Sequence, residues 1–104
     1  MTEHLVQILL PLHKRDGTDV PSETFARVRV ELTVRFGGVT AYSRSPATGL
    51  WKSLDADIER DQVIMLEVVV EVFDREWWSR YREQLEQWFD QEEIHARALA
   101  IDRI

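Results

Sequence analysis

The hydrophobic positions of the chain fall into six segments that polar stretches separate. The first, Leu5 to Leu12, is short and aliphatic, and a polar stretch with a turn at Asp16-Gly17 follows it, as is typical of a strand and a loop. The segment from Val63 to Phe73 is rich in valine and is the strongest strand candidate. The last segment, Ile94 to Ile101, predicts a final strand.

Two segments have the spacing of amphipathic helices. From Ser22 to Phe36 the apolar residues recur three or four positions apart, and Gly37-Gly38 ends the pattern as a C-terminal cap. Two rows of apolar residues predict one wide buried face of this helix: Phe25, Val28, Leu32 and Phe36, with Ala26, Val30 and Val34.

The second helix is predicted to begin after Asp74, a good N-cap, and to run to about Gln91. Arg82 and Glu86 are expected to form an i,i+4 pair on its solvent side. Its apolar stripe is Trp77, Trp78, Tyr81, Leu85, Trp88 and Phe89. The two adjacent tryptophans point about 100° apart, so only one of them faces the sheet fully, and the pattern does not say which.

The remaining segment, Val39 to about Ser53, predicts a second strand with an irregular excursion at Arg44 to Gly49. The order is therefore strand, helix, strand, strand, helix, strand. Because each strand–helix–strand unit needs a right-handed crossover, two interleaved units give one antiparallel sheet with both helices on one face. We predict an α+β, ferredoxin-like βαββαβ sandwich with four strands, forming a single domain over residues 1–104, with the first and third strands at the centre.

Alternation along the strands predicts what each face of the sheet carries. The row predicted to face the helices is Ile64, Leu66, Val68, Val70 and Val72. The opposite, open face is predicted to carry apolar residues with polar residues among them: Leu5, Leu9, Met65, Val69, Leu99 and Ile101, with Gln7, Glu67, Glu71, His95 and Arg97. Because large exposed apolar patches mark interaction sites, we expect a homo-oligomer, most simply a two-fold dimer.

The composition of the chain argues against several classes of partner and site. The 104 residues carry a net charge of −6, which argues against a nucleic-acid binder because such proteins need a basic surface. The absence of cysteine excludes disulfides, thiolate nucleophiles and cysteine zinc sites. The apolar run at Leu5 to Leu12 is too short to cross a membrane and lacks the features of a signal peptide, so we expect a cytoplasmic protein without a membrane partner.

A short series of motifs resembles a known group. Phe36-Gly37-Gly38-Val39-Thr40, then Gly49-Leu50-Trp51, and then Glu67 within a valine-rich strand are similar to small uncharacterised bacterial proteins of ferredoxin-like fold. In topology alone, the chain is also similar to trimeric signal-transduction and copper-tolerance proteins of the PII type, and to dimeric α/β-barrel monooxygenases and haem-degrading enzymes. Such a likeness implies the fold and transfers no catalytic residue.

The sequence contains no motif that is typical of a metal or cofactor site. Asp55, Asp57, Glu59 and Asp61 alternate like a calcium loop, but Arg60 stands where that loop needs glycine, which favours a solvated hairpin tip. The three histidines, His4, His13 and His95, have no metal-binding spacing, and no glycine-rich phosphate loop is present. We therefore expect no cofactor and no metal.

The candidate binding residues are Tyr42, Arg44, Trp51, Glu67, Glu71, His95 and Arg97. His95 would be a general base if it met a glutamate, but the first strand is expected to separate them by about 10 Å, which favours a rim position. Arg44, Lys52 and the run His13-Lys14-Arg15 could converge on a small anionic ligand. Trp51 either caps the core or lines a pocket for an apolar group.

Two functions remain open from the sequence. The first is an oligomeric protein that binds a small ligand or a partner and has no catalysis of its own. The second is a dimeric α/β-barrel enzyme of the cofactor-free or haem-using monooxygenase or isomerase type. An absorption spectrum separates them, because a haem or flavin band favours the enzyme.

Overall fold

The computed structural model describes residues 2–44 and 63–104, and of Ser43 and Arg44 it describes the backbone alone. The elements follow the predicted order: β1 (Glu3–Pro11), α1 (Ser22–Phe36), β2 (Thr40–Arg44), β3 (Val63–Val70), α2 (Arg75–Trp88) and β4 (Ala96–Ile101). The predicted remainder of the second strand and the acidic tip at Asp55 to Asp61 lie outside the described residues.

One antiparallel sheet contains the four strands in the order β2-β3-β1-β4. The predicted ferredoxin-like α+β fold is confirmed, with β1 and β3 at the centre. On β1, Leu5 lies opposite Val69 of β3, and Gln7 lies opposite Glu67 of β3. Residues of β4 lie opposite the same two β1 residues on the other side of β1.

The core lies on one face of this sheet. Six even-numbered residues of the two central strands are buried and form one cluster with residues of both helices: Val6, Ile8, Leu10, Leu66, Val68 and Val70. The helices contribute Val28, Leu32, Trp78, Tyr81 and Leu85 to the cluster. The odd-numbered residues therefore form the face that the helices do not cover.

The predicted wide face of α1 is wrong. Val28 and Leu32 are buried, whereas Val30 and Val34 are 61% and 81% exposed. The helix packs through a single stripe, because residues three and four apart share one side of a helix and the second row lies too far round it to reach the sheet.

The third strand ends earlier than predicted. β3 stops at Val70, and Val72 is 72% exposed rather than facing the helices. The chain bends at Glu71 and Val72 to reach Asp74, whose Oδ1 accepts a hydrogen bond from the Trp77 N–H at 3.1 Å and caps α2. The bend takes these two residues out of the sheet, so the strand alternation no longer applies to them.

The predicted extension of α2 to Gln91 is also wrong, because the helix ends at Trp88. The predicted pair of Arg82 and Glu86 does not form. Glu86 Oε2 instead accepts a hydrogen bond from the Ile94 N–H at 3.0 Å, which ties the end of α2 to the approach to β4.

Aromatic rings fill the seam between the helices. Trp78 is buried and stacks on Phe36 with the ring centroids 5.0 Å apart, so Trp78 is the tryptophan that faces the core. Trp77 is half-buried, stacks on Tyr81, and has the guanidinium of Arg35 4.2 Å above its ring centroid. Burial, with a smaller effect of the nearby Glu31 charge, raises the pKa of Tyr81 well above its usual range.

Candidate functional site

The open face of the sheet carries a row of polar side chains across three strands. Gln7 on β1 lies opposite Glu67 on β3 and opposite Arg97 on β4. Arg97 Nε donates to Gln7 Oε1 at 2.6 Å, and Gln7 Nε2 donates to Glu67 Oε2 at 2.7 Å. The glutamine amide thus joins two opposite charges that the width of β1 separates.

Both ends of this chain of hydrogen bonds keep unused capacity. Only Nε of the Arg97 guanidinium and only Oε2 of the Glu67 carboxylate have a partner within the described part of the protein. The two terminal nitrogens of the arginine and the second carboxylate oxygen are therefore open to a further charged group. An arginine fork and a carboxylate match each other in geometry.

Apolar side chains flank the polar row on both sides. On one side Leu9, Met65 and Tyr42 lie in register across β1, β3 and β2, and on the other side Leu5 lies between Val69 and Leu99. Val69 and Leu99 are 38% and 45% exposed. The predicted open face is therefore present, and the polar row of Gln7, Glu67 and Arg97 runs through the middle of its apolar surface.

The predicted site residues fall into two groups. Tyr42, Glu67 and Arg97 lie on the open face, with Tyr42 at the β2 edge. Glu71 does not: it is exposed in the bend after β3. His95 precedes β4 by one residue, its side chain is exposed, and its carbonyl accepts from the Leu9 N–H at 3.0 Å. Within the described ranges, no carboxylate pairs with His95.

The predicted anion site at the end of β1 is described only in part. Trp51 and Lys52 lie outside the described residues, and the backbone of Arg44 lies opposite Val63 at the same end of the sheet as the run from His13 to Arg15.

Acidic side chains lie beside two residues of that run, His13 and Arg15. His13 Nε2 lies 3.3 Å from Asp19 Oδ1, and Arg15 Nη2 lies 2.8 Å from Asp90 Oδ1. The hydrogen bond to Asp90 raises the pKa of Arg15. The contact of Arg15 with Asp90 fastens the loop after β1 to the residues that follow α2, whereas the contact of His13 with Asp19 lies within the loop.

Sequence reasoning missed a groove between α2 and the edge strand β4. Its cavity has a volume of about 360 Å³, and its floor is the apolar surface of Val6, Ala96 and Ala98. Phe73 and α2 form its walls, and the α2 residues that line it are Arg75, Trp78, Ser79 and Arg82. The signal in the sequence was the seven-residue spacing of the two arginines, which places both on one side of a helix.

Neither Arg75 nor Arg82 forms an ion pair with any described residue. A third arginine of the groove, Arg97, donates its Nε to Gln7. Arg75 lies 5.3 Å from the centroid of the Phe73 ring, which holds its guanidinium beside the groove. Arg82 has no ion-pair partner in residues 2–44 and 63–104, where Glu86, its neighbour one turn on, binds the backbone of Ile94 instead. The groove thus combines positive charge, a hydroxyl and an apolar floor.

Two kinds of feature are not found in residues 2–44 and 63–104. These residues contain no group of three histidine, aspartate or glutamate side chains placed to hold a metal ion. They also contain no helix of the length and hydropathy that a membrane span needs.

No protein-family model, curated protein or solved structure matches the chain. The resemblance to small bacterial proteins therefore stays a prediction, and its Gly49-Leu50-Trp51 motif lies outside the described residues.

Proposed function

We propose that the chain is a cytoplasmic, homo-oligomeric protein without catalysis of its own, which binds a small ligand that has an anionic group and an apolar part. The observation that carries the proposal is the groove between α2 and β4, where Arg75 and Arg82 stand without ion pairs to described residues beside an apolar floor.

The charge of the groove favours an oxyanion. The protein as a whole carries a net charge of −6, yet the side chains that α2 presents to the groove are two arginines, a serine and a tryptophan. Arginine binds carboxylate or phosphate oxygens through two parallel hydrogen bonds, and Ser79 offers one more hydroxyl donor. These groups select an anion and repel a cation.

The shape of the groove favours an apolar part on the same ligand. Ala96 and Ala98 leave space on the sheet that larger side chains would fill, and Val6 and Phe73 add apolar surface beside it. A volume of about 360 Å³ lies at the lower end of the range for small-molecule sites. A compact aromatic or short aliphatic carboxylate or phosphate fits both the size and the charge.

The test is a titration of the ¹⁵N-labelled protein by nuclear magnetic resonance with phenyl phosphate, benzoate and inorganic phosphate. We expect phenyl phosphate and benzoate to shift the amide signals of α2 and of Ala96 to Ala98. Inorganic phosphate should bind more weakly, because it lacks the apolar part. Benzylamine, which has the ring but the opposite charge, should not bind.

Three variants test which arginines contribute to ligand binding. Arg82→Gln and Arg75→Gln should each weaken binding about tenfold, since each removes charge-assisted hydrogen bonds. Arg80→Gln is the matched control: Arg80 is on the same helix, pairs with Glu76 at 2.8 Å and does not line the groove. Signals that do not shift in the groove, or an equal effect of all three substitutions, would contradict the proposal.

A further inference from the structure

We infer that a second copy of this chain covers the open sheet face, related to the first by a two-fold axis parallel to β1 and passing over Gln7. In this dimer Arg97 of each copy meets Glu67 of the other. The inference deepens the homo-oligomeric part of the proposed function and is argued from the open face alone, although Arg97 also lines the groove between α2 and β4.

The apolar part of the open face favours packing against another apolar surface. Leu5, Leu9, Val69 and Leu99 lie on the side of the sheet that the helices leave open, and Val69 and Leu99 are substantially exposed. Two such faces pack against each other about 10 Å apart in sheet sandwiches, and a two-fold axis lets one patch cover its own copy.

The charges decide the direction of the axis. Glu67 and Arg97 lie on either side of Gln7, each one strand spacing of about 4.8 Å away. Rotation about an axis parallel to β1 exchanges the two sides, so the arginine of one copy comes to lie over the glutamate of the other. An axis perpendicular to the strands would instead place arginine over arginine and glutamate over glutamate.

The unused hydrogen-bonding capacity agrees with the same axis. The terminal nitrogens of the Arg97 guanidinium and Oε1 of Glu67 have no partner in the described ranges. Across this axis, the arginine of one copy supplies the donors and the glutamate of the other copy supplies the acceptor. The salt bridges across the dimer would extend the hydrogen bonds that already pass through Gln7. A fully paired polar row avoids the cost of leaving a charge buried without a partner.

The apolar neighbours also match under this rotation. Residues of β1 lie on the axis, so Leu5 meets Leu5 and Leu9 meets Leu9 of the other copy. Leu99, one strand to the side, meets Val69. At these positions each apolar side chain faces another apolar side chain, just as Arg97 faces Glu67.

Cross-linking distinguishes the two axes, because the chain contains no cysteine and single cysteines can be introduced without interference. Leu5→Cys and Leu9→Cys are each treated with a short bifunctional thiol reagent, alone and as a mixture. An axis parallel to β1 brings like positions together, so each variant should cross-link to itself. Position 5 of one copy and position 9 of the other would then be about 14 Å apart along the strand.

Charge reversal tests the pairing itself. Arg97→Glu or Glu67→Arg alone should raise the dimer Kd about a hundredfold or more, because like charges then face each other twice in the dimer. The double variant should restore association, since the exchanged charges face each other again and Gln7 can turn its amide to join them. Arg29→Glu, an exposed position on α1, is the matched control and should leave the Kd unchanged.

The outcomes separate the two claims. Cross-links that form mainly between the Leu5→Cys and Leu9→Cys variants in the mixture, rather than within each variant, would overturn the axis while leaving the dimer in place. A double charge reversal that does not restore association would overturn the pairing of Arg97 with Glu67. Wild-type protein that stays monomeric would overturn both the inference and the homo-oligomeric part of the proposed function, and the groove would still be judged by its own titration.

Discussion

Gln7 and Glu67 lie directly opposite each other on the two central strands, and the glutamine Nε2 donates to the glutamate Oε2 at 2.7 Å. The same glutamine accepts from Arg97 with its oxygen, so the amide uses both of its ends. A glutamine at this position therefore holds the two charges of the open face in fixed places, one on each side of β1.

The bond between these two residues should appear as a coupling in a double-mutant cycle. For Gln7→Ala, Glu67→Ala and the double variant, we expect a coupling free energy of about 0.5–1.5 kcal/mol, typical of a hydrogen bond to a carboxylate at a part-exposed site. Urea denaturation at one protein concentration measures it. Strictly additive effects of the two substitutions would show that the bond contributes nothing to stability.

The two faces of β3 should respond differently to truncation. Leu66 is 2% exposed and faces the helices, so Leu66→Ala should lower the free energy of unfolding by about 2–5 kcal/mol through lost burial and a cavity. Val69 is 38% exposed on the other face, and Val69→Ala should cost about 1 kcal/mol or less in the monomer. Urea denaturation at low protein concentration makes the comparison, and equal losses would contradict the assignment of the faces.

The Asp74 cap should contribute measurably to α2. Its Oδ1 accepts from the Trp77 N–H at 3.1 Å, so Asp74→Ala should lower the free energy of unfolding by about 1 kcal/mol. Asp74→Asn keeps an acceptor at the same place and serves as the control, with a loss of a few tenths of a kcal/mol. Thermal denaturation of the two variants side by side decides it: equal losses would mean that the cap is not formed.

Tyr81 should make stability depend on alkaline pH. Burial raises its pKa above the ordinary value of 10.0, so below that pH the hydroxyl keeps its proton in both folded and unfolded chains. As the pH rises further, the unfolded chain loses the proton and the folded protein retains it. The free energy of unfolding therefore falls, by at most about 1.4 kcal/mol per pH unit for this group.

Tyr81→Phe is the control for that pH dependence, because it keeps the ring and removes the titrating group. Urea denaturation at pH 8 and at pH 11 should show a smaller loss of stability for the variant than for the wild type. The same loss in both proteins would show that burial does not shift the ionisation of this tyrosine.

The fold was largely predictable because periodicity and caps are local signals. The bounds of α1 agree with the sequence prediction, and Gly37 ends that helix with φ of 88° and an N–H bond to the Thr33 carbonyl. The exposed row with Val30 and Val34 was not predictable in the same way. The same three- and four-residue spacing fits a helix with one buried row and a helix with two buried rows. Which case applies depends on how close each row lies to the sheet, and the sequence does not show that distance.

The site was predictable only where it depends on strand alternation. That rule placed Glu67 and Arg97 on the open face correctly, since both lie inside regular strands. It failed for Glu71, because the bend that leads to the Asp74 cap ends the strand at Val70. The groove was missed because Arg82 became available only through the bond of Glu86 to Ile94, a contact that sequence spacing does not show.

Sedimentation equilibrium tests most directly whether the open sheet face is an interface between two copies of the chain. Wild-type protein and Val69→Asp are compared at about 100 μM, a concentration at which a dimer of micromolar Kd is almost fully formed. We expect the wild type to sediment with twice the chain mass of 12.3 kDa, and the variant to be a folded monomer because it places a charge without a partner against Leu99 of the other copy. A wild-type protein of 12.3 kDa at that concentration would contradict the interface.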